Sequence, residues 1–210
     1  MPQRPASFRF TLIMLLALTT PLAAQSRIEV GPLVALYAPA GNFQPAPYYS
    51  TALPNSPGDL TGVAWGGQGR IWFTPRFGVQ VQVASASSTV GGGNTPGGSF
   101  PGTAARVLTA STQVLWGLSA LPHNARFYLS AGAGLVRHGG KAYERYGPPT
   151  QLATVVGFGA AVPLGSHLAA NAGVSTFLYN IDVSDSSGTS LEHGLQVDAL
   201  IQVGVSLRWP

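Results

Sequence analysis

Polar and apolar residues alternate strictly along several segments of this chain, and this alternation constrains the fold more than any other feature. The clearest segment is QVGVSLRW, from Gln202 to Trp209, in which every second residue is valine, leucine or tryptophan. Side chains of an extended strand point alternately to opposite faces, so the pattern predicts a strand with a different solvent on each face. RFGVQVQV, from Arg76 to Val83, repeats it. A slip of one residue would reverse the two faces, so the sequence specifies the register.

Eight alternating segments are separated by clusters of Gly, Pro, Asn and Ser, which are typical of turns. The predicted strands cover approximately residues 27–38, 61–73, 76–87, 105–118, 126–138, 151–162, 168–182 and 195–209. Short turns alternate with longer connections, as in outer-membrane barrels, whose short turns face the periplasm. The longer connections are residues 39–60, 88–103, 139–150 and 183–194. An even number of strands places both ends of the predicted barrel on the periplasmic side.

The low charge content indicates which environment each face of the strands contacts. Charged residues make up 9% of the chain, against about 25% in ordinary soluble domains. No run of 18 apolar residues follows residue 25, so the sequence excludes membrane-spanning helices. A closed barrel crosses a membrane with alternating strands and needs no such run. We therefore predict an all-β fold, an eight-stranded antiparallel up-and-down transmembrane β-barrel. A soluble lipocalin-like barrel, with its apolar side inward, is the alternative.

The first residues have the order of a secretory signal peptide. Arg4 and Arg9 precede an apolar run over residues 10–18, which is shorter than the roughly 20 residues of a spanning helix. We predict a signal peptide over residues 1–24, cleaved after Ala24 or alternatively after Ser26, and an outer-membrane β-barrel over residues 25–210. The chain contains no cysteine, which excludes disulfides and a lipid-modified cysteine. The expected location is the bacterial outer membrane.

The net charge gives no indication of a nucleic-acid partner. The formal charge is +4, but without Arg4 and Arg9 nine basic residues face seven acidic ones. A net charge this small is not that of a polyanion-binding surface.

Charged residues in the predicted strands fall mainly on the polar parity, which would face the lumen. Those that do so are Glu29, Arg70, Arg76, Arg126, Asp198 and Arg208. Unpaired charge in a confined interior is costly, and the first and last strands pair when a barrel closes. We therefore predict a lumenal ion-pair cluster near the periplasmic end, formed by Glu29, Arg70, Arg76 and Arg208.

Three further features of the parity pattern need an explanation. Arg106 and Arg137 lie on the apolar parity, at loop-side strand ends where a long side chain can snorkel to the headgroups. Phe177 and Tyr179 fall on the polar parity of the seventh strand, which indicates a bulge near the loop. The inner faces are rich in glycine, which either relieves crowding in a small barrel or lines a narrow passage.

Aromatic residues on the apolar parity mark the predicted membrane boundaries. The predicted membrane girdle consists of Trp65, Phe73, Phe77, Trp116, Phe127 and Trp209. All except Trp65 lie next to a short turn or the chain end, as expected of a periplasmic girdle. Trp65 precedes Phe73 by eight residues, about 26 Å along an extended strand, so the pair brackets an apolar band of the required height.

In architecture the whole mature chain resembles the small eight-stranded outer-membrane barrels, the class of the OmpA membrane domain, OmpX and OmpW. Such barrels end in a pattern of spaced polar, glycine, apolar and aromatic residues, whose places are filled here by Gln202, Gly204, Leu207 and Trp209. The resemblance implies that these four residues are the signal recognised by the barrel-insertion machinery. Pro210 departs from the pattern, in which the aromatic residue is last. No counterpart of the peptidoglycan-binding domain that follows the OmpA barrel is expected.

The sequence indicates no catalytic, cofactor or metal site. The four histidines, His123, His138, His167 and His193, lack the spacing of metal ligands. Some small outer-membrane barrels modify lipid A with a serine and a histidine that face the outer leaflet. Ser166 and His167 lie in a predicted periplasmic turn, which is the wrong side for that substrate. We therefore predict that the protein is not an enzyme and has no cofactor.

The predicted function is a structural or surface-interaction role through the long extracellular loops. The expected partners are outer-membrane lipid and lipopolysaccharide, the barrel-insertion machinery and a surface ligand of the loops; Lys141, Tyr143, Arg145 and Tyr146 are candidates for such contacts. Two alternatives stay open. The barrel could form a narrow passage or binding site for small or hydrophobic solutes, as the resemblance to OmpW implies, or it could be a lipid A modifying enzyme.

Overall fold

The computed structural model describes residues 27–40, 61–90, 93–95, 98–100, 103–120, 125–143, 150–184 and 190–209. The predicted signal peptide lies outside these residues, and its extent stays a prediction. Arg145 and Tyr146 also lie outside them.

The described chain forms ten strands and one turn of 3₁₀ helix, Lys141–Tyr143. The strands are β1 Arg27–Pro39, β2 Gly62–Trp72, β3 Phe77–Val90, β4 Gly93–Thr95, β5 Gly98–Phe100, β6 Thr103–Ala120, β7 Arg126–Gly139, β8 Thr150–Pro163, β9 Leu168–Ser184 and β10 Ser190–Trp209. Eight of them close a barrel in the order β1-β10-β9-β8-β7-β6-β3-β2, and all its neighbours are antiparallel. In the part of the chain that the structure describes, no helix is long and apolar enough to span a membrane.

This architecture confirms the predicted fold class and each of the eight predicted strands. Two connections differ from the prediction. Strands β4 and β5, within the predicted connection 88–103, pair with each other, and much of the predicted connection 183–194 is strand, with Val183 opposite Glu192 and Asp182 opposite His193. Antiparallel pairing continues as long as both chains stay extended, whereas the apolar pattern ends where the membrane ends. The pattern therefore underestimates the length of strands that project beyond the membrane.

The register determines which residues meet inside the barrel. Following hydrogen-bonded partners around the barrel from Glu29 leads back to β1 at Pro39, ten residues further along. A stagger of this kind requires the strands to tilt, by roughly 35–45° in membrane barrels. Because the strands are tilted, residues that lie at the same height along the barrel axis are not the residues that are paired with each other across the strands.

The apolar parity faces outward. On β10, Val203 and Leu207 are 60% and 50% exposed, whereas Gln202 and Ser206 on the opposite parity are 5% and 2% exposed. Large apolar side chains cover the outside of every barrel strand described except β9, whose outer face carries mainly alanine, valine and threonine above Leu168. This arrangement contradicts the lipocalin-like alternative, which would place the apolar rows inside.

The six residues of the predicted girdle all lie on this outer surface. Each is at least 37% exposed: Trp65, Phe73, Phe77, Trp116, Phe127 and Trp209. Phe77 and Trp116 oppose each other on β3 and β6, and their rings stack with centroids 6.4 Å apart. Five of the six surround the end with the short turns, and Trp65 lies toward the other end of the barrel.

The bulge predicted from Phe177 and Tyr179 is wrong. Both side chains are buried inside the barrel. Strand β9 pairs with β10 in unbroken register through both residues, and its ladder with β8 is regular through Phe177 and ends at Leu178. They fit there because apolar side chains make up much of the extracellular half of the interior. The irregularities lie elsewhere, between Gly117 and Ser119 and between Ser190 and Glu192.

The outward orientation of β10 can be tested with one substitution at two heights. Val203→Arg places a charge at mid-height of the apolar surface and is expected to lower the free energy of unfolding by about 2–4 kcal/mol. Leu207→Arg, on the same face but two residues from Trp209, is expected to lower it by about 0–1 kcal/mol, because the charge lies near the interface. Urea unfolding in lipid vesicles would measure both. Equal effects would contradict the assigned membrane position.

Candidate functional site: the barrel interior

The periplasmic half of the interior is a polar network built around Glu29 and Arg70. Glu29 of β1 is buried, and its carboxylate lies 3.7 Å from Arg70 Nη1 and 3.7 Å from Arg208 Nε. These distances are longer than a hydrogen bond, so the contacts are electrostatic. The pairing follows from the register, since Glu29 is opposite Arg208 on one side and Arg70 on the other.

Arg76 lies outside this group, contrary to the predicted ion-pair cluster. Strand β3 begins at Phe77, so Arg76 belongs to the preceding turn and its side chain is exposed. Its backbone N–H donates to Thr74 Oγ1 at 3.2 Å. Side chains alternate in direction within a strand but not within a turn, and for this reason the prediction for Arg76 was wrong. Arg126 lies near the mouth instead, with its guanidinium carbon 4.3 Å from the centroid of the Trp72 ring.

Arg70 holds the network together through three side-chain acceptors on three strands. Its Nε donates to Gln80 Oε1 at 2.6 Å and its Nη2 to Gln68 Oε1 at 2.7 Å, and Nη1 bonds to Asn171 Oδ1. Asn171 Nδ2 in turn donates to Ser206 Oγ at 2.9 Å. Charge-assisted bonds in a buried site are strong, so Arg70 cross-links β2, β3 and β9 through the lumen.

A row of glutamines extends the network across the barrel. Gln80 Nε2 donates to Gln82 Oε1 at 3.0 Å, and Gln82 Nε2 donates to Gln202 Oε1 at 2.6 Å. A second chain runs from Ser130 Oγ to Gln113 Oε1 at 2.7 Å and from Gln113 Nε2 to Ser111 Oγ at 2.9 Å. The alternation predicted Gln80, Gln82 and Gln202 on the polar face but gave no indication that they form a network.

The four residues of the predicted insertion signal are divided between the two faces. Gln202 is buried in the network just described, and Gly204 is on the same inner face. Leu207 and Trp209 point outward into the apolar surface. In the folded barrel Gln202 therefore has a structural role, and recognition by the insertion machinery stays a prediction.

The extracellular half of the interior is centred on a buried carboxylate. Asp198 of β10 is 0% exposed. Its Oδ2 accepts hydrogen bonds from the hydroxyls of Tyr37 at 2.5 Å and Tyr179 at 2.7 Å, and its Oδ1 accepts one from Gln196 Nε2 at 2.8 Å. Three donors on three strands satisfy this carboxylate. The sequence placed Asp198 inside but gave it no role, because its two tyrosine donors lie on other strands and the local pattern does not show that they meet it.

The connection after β7 packs onto the same group from above. Tyr143 of the 3₁₀ turn is buried, and its ring centroid lies 4.9 Å from that of His138. His138 Nε2 is 3.3 Å from the hydroxyl of Tyr179. Burial raises the pKa of the Tyr143 phenol above its ordinary value, and the charge of Asp198 adds to this, so the ring stays neutral at physiological pH. Tyr143 thus covers the extracellular end of the described interior.

Large side chains fill the lumen throughout the levels of these two groups. Twelve large side chains there are less than 2% exposed: Trp72, Arg70, Phe177, Leu33, Leu115, Leu200, Gln80, Gln82, Gln113, Val136, Val155 and Asp198. A sphere the size of water does not reach them, so no open water-filled passage runs along this part of the barrel.

Two glycines make room for this filling. A Cβ at Gly134 would lie 2.8 Å from Val155 Cγ2 and 3.0 Å from Phe177 Cε1. A Cβ at Gly78 would lie 3.0 Å from the Trp72 ring. At both positions glycine allows a large neighbour to occupy the lumen, which favours the crowding explanation over a glycine-lined passage.

Two cavities lie at the ends of the barrel. One, of about 490 Å³, is at the extracellular rim beside Arg106, and another, of about 10 Å³, is at the periplasmic mouth between Arg27, Glu29, Arg126 and Arg208. Ser166 and His167 are exposed in the periplasmic turn, where Ser166 Oγ lies 2.7 Å from His167 Nδ1. Within the described ranges, no three His, Cys, Asp or Glu side chains come together as a metal site would require.

Solved structures with this fold include several outer-membrane proteins. OprG from Pseudomonas aeruginosa shares 10% sequence identity, covering 88% of this chain and 96% of its own, with a TM-score of 0.57. Neisserial surface protein A shares 12% identity, covering 88% and 97%, with a TM-score of 0.54. Outer membrane protein W from E. coli shares 12% identity, covering 89% and 100%, with a TM-score of 0.50. No protein-family model and no curated protein matches the sequence.

At these identities the likeness establishes the fold. The predicted location in the bacterial outer membrane agrees both with the apolar outer surface and with the membrane in which these similar barrels are found. The chain therefore has the fold of the small eight-stranded outer-membrane β-barrel proteins.

Proposed function

We propose that the protein is a closed outer-membrane barrel that acts as a rigid scaffold, presenting its extracellular connections at the cell surface and conducting no solute. The observation that carries this proposal is the filled lumen. The network around Arg70 and the group around Asp198 fill successive levels of the interior. A pore would need both of them to open.

The rigidity of the interior supports a scaffold role. Arg70 and Asp198 each join three strands of the barrel. Buried side chains that are held by several hydrogen bonds in this way fix one arrangement of their elements. Strand ends held in this way keep the bases of the extracellular connections at constant spacing, as a binding surface requires.

Ion conductance tests the proposal directly. We expect the protein in planar lipid bilayers to show no discrete current steps, because Arg70 and Phe177 obstruct the lumen at two heights. The double variant Arg70→Ala/Phe177→Ala removes the obstruction in both halves and serves as the comparison, with heat-modifiable migration as proof that it is folded. Current steps from the unmodified protein would overturn the proposal, whereas steps from the variant alone would support it.

A second candidate function is binding or passage of a small apolar solute at the extracellular half. Its support is the apolar lining there, which includes Leu33, Val107, Val136 and Val155. Entry would require Tyr143 to leave its position on His138. Uptake of a small hydrocarbon into vesicles would favour this function if it rose on substituting Tyr143→Gly and was absent from protein-free vesicles. A catalytic role in lipid A modification is not proposed, and an unchanged lipid A mass in expressing cells would agree with this.

A further inference from the structure

Two arginines interrupt the apolar outer surface. Among outward-facing strand residues whose side chains the structure describes, Arg106 of β6 and Arg137 of β7 are the only charged ones, and both are exposed. A charge on the lipid face is strongly unfavourable at the bilayer midplane, and this free-energy cost almost disappears at the interface. Two exposed arginines on this surface therefore raise the question of which group they bind.

The strand register brings the two arginines together. Arg106 is opposite Gly139 and Arg137 is opposite Leu108, so they are diagonal neighbours on the same face of paired strands. Such neighbours have Cβ atoms about 7–8 Å apart, within reach of one group for long side chains. Like charges this close repel each other. An anion bound between the two arginines would attract both of them and offset this repulsion.

Hydroxyl groups continue the polar row on both sides. Ser87 of β3 is opposite Arg106, and Thr150 of β8 is opposite Arg137. Both are exposed on the outer face. The row of Ser87, Arg106, Arg137 and Thr150, which we call the rim patch, crosses four neighbouring strands. It provides two guanidinium groups and two hydroxyls, and the described residues form no salt bridge with its arginines.

The rim patch lies at the extracellular limit of the apolar surface. Leu108 and Leu135, each two residues closer to the membrane centre, are 39% and 43% exposed apolar residues on the same face. The adjoining connections are those at the end opposite the short turns. This is the level of the outer-leaflet headgroups, which carry the phosphates of the membrane.

A cavity adjoins the patch. Its volume is about 490 Å³, and Ser87 and Arg106 line it together with Ser88, Ala104, Ala105 and Gly140. Small-molecule sites have volumes of roughly 300–1,000 Å³. The space beside the guanidinium of Arg106 is therefore large enough for more than a lone phosphate.

We propose that the rim patch is a binding site for a phosphorylated glycolipid of the outer leaflet, a lipid A-type headgroup. Arg106 and Arg137 pair with one phosphate, the hydroxyls of Ser87 and Thr150 at the two ends of the row contact neighbouring oxygens of the headgroup, and the cavity accommodates the adjoining sugar. Arginine matches phosphate through bidentate hydrogen bonds. The occupant is a lipid because the patch faces the bilayer and not the lumen. This inference is independent of whether the barrel conducts.

Titration of the full-length folded protein in detergent with lipid A that carries its phosphates tests the proposal, with bound lipid counted by native mass spectrometry. We expect Arg106→Gln/Arg137→Gln to weaken binding by about tenfold or more, because both charge-assisted contacts with the phosphate are lost. Arg76→Gln removes an exposed arginine from the periplasmic turn and is the matched control, which should bind as the unmodified protein does. Heat-modifiable migration verifies that each variant is folded.

Two further lipids identify the chemistry. Dephosphorylated lipid A should bind the unmodified protein as weakly as phosphorylated lipid A binds the double variant. Phosphatidylglycerol should compete poorly, because it has the phosphate but lacks the sugar. Unchanged binding by the double variant, equally tight binding of dephosphorylated lipid A, or equal competition by phosphatidylglycerol would each overturn the proposal.

Discussion

Phe177→Ala is expected to lower the free energy of unfolding by about 3–5 kcal/mol, the usual range for truncating a buried phenylalanine. The ring is 1% exposed and lies inside the barrel next to Val155 and above Gly134. Removing it leaves a cavity that the closed ladder of β8, β9 and β10 cannot collapse to fill. Urea unfolding in detergent micelles or vesicles, followed by tryptophan fluorescence, would measure the change.

Phe158→Ala is the matched control, since the same atoms are deleted from the outer surface of β8, where Phe158 is 60% exposed. Lipid or detergent fills the space outside the barrel, so only the transfer contribution of the ring is lost and no cavity forms. We therefore expect a smaller loss of stability than for Phe177→Ala. A larger loss from Phe158→Ala would mean that the interior of β9 is assigned wrongly.

Glu29→Gln is expected to destabilise the barrel by about 3 kcal/mol, because removing one member of a buried ion pair leaves its partner uncompensated. Here one carboxylate lies 3.7 Å from each of two arginines, and the side chains of Arg70 and Arg208 are 1% and 9% exposed. The value is at the lower end of the range for buried pairs, since Arg208 is next to the periplasmic mouth. The measurement is again the free energy of unfolding in urea.

Two comparisons make the Glu29 prediction specific. Arg76→Gln removes an exposed arginine from the turn at the same end and should change stability by no more than about 0.5 kcal/mol. Glu29→Gln/Arg208→Gln removes the charge and one of its partners together, and should be less destabilising than the sum of the two single variants. Additive effects would show that Glu29 and Arg208 do not interact.

The positions of the eight barrel strands were predictable because a two-residue period is a local property. The same parity correctly placed Glu29, Arg70 and Asp198 inside and Val203 outside. The parity gave the wrong side-chain direction for Arg76, because β3 begins only at the next residue. It also misled at Phe177 and Tyr179, because the interior contains apolar residues as well as polar ones.

The contacts inside the barrel were not predictable in the same way. The donors to Asp198 come from Tyr37 and Tyr179, and an acceptor of Arg70 comes from Asn171. Which inner residues contact each other depends on the stagger of the whole barrel, and no local sequence pattern specifies that stagger. A stagger two residues different would keep every parity and replace most of these partners.

The pairing of β1 with β10 has a consequence for how the molecule assembles. Ile28 is opposite Trp209, so the last seam joins positions at opposite extremes of the described chain, and contacts of such long range form slowly. Until that seam forms, two strand edges remain open to pairing with other chains, which is the route to aggregation. We expect the unassembled protein to depend on a holding factor until both edges are present in the membrane.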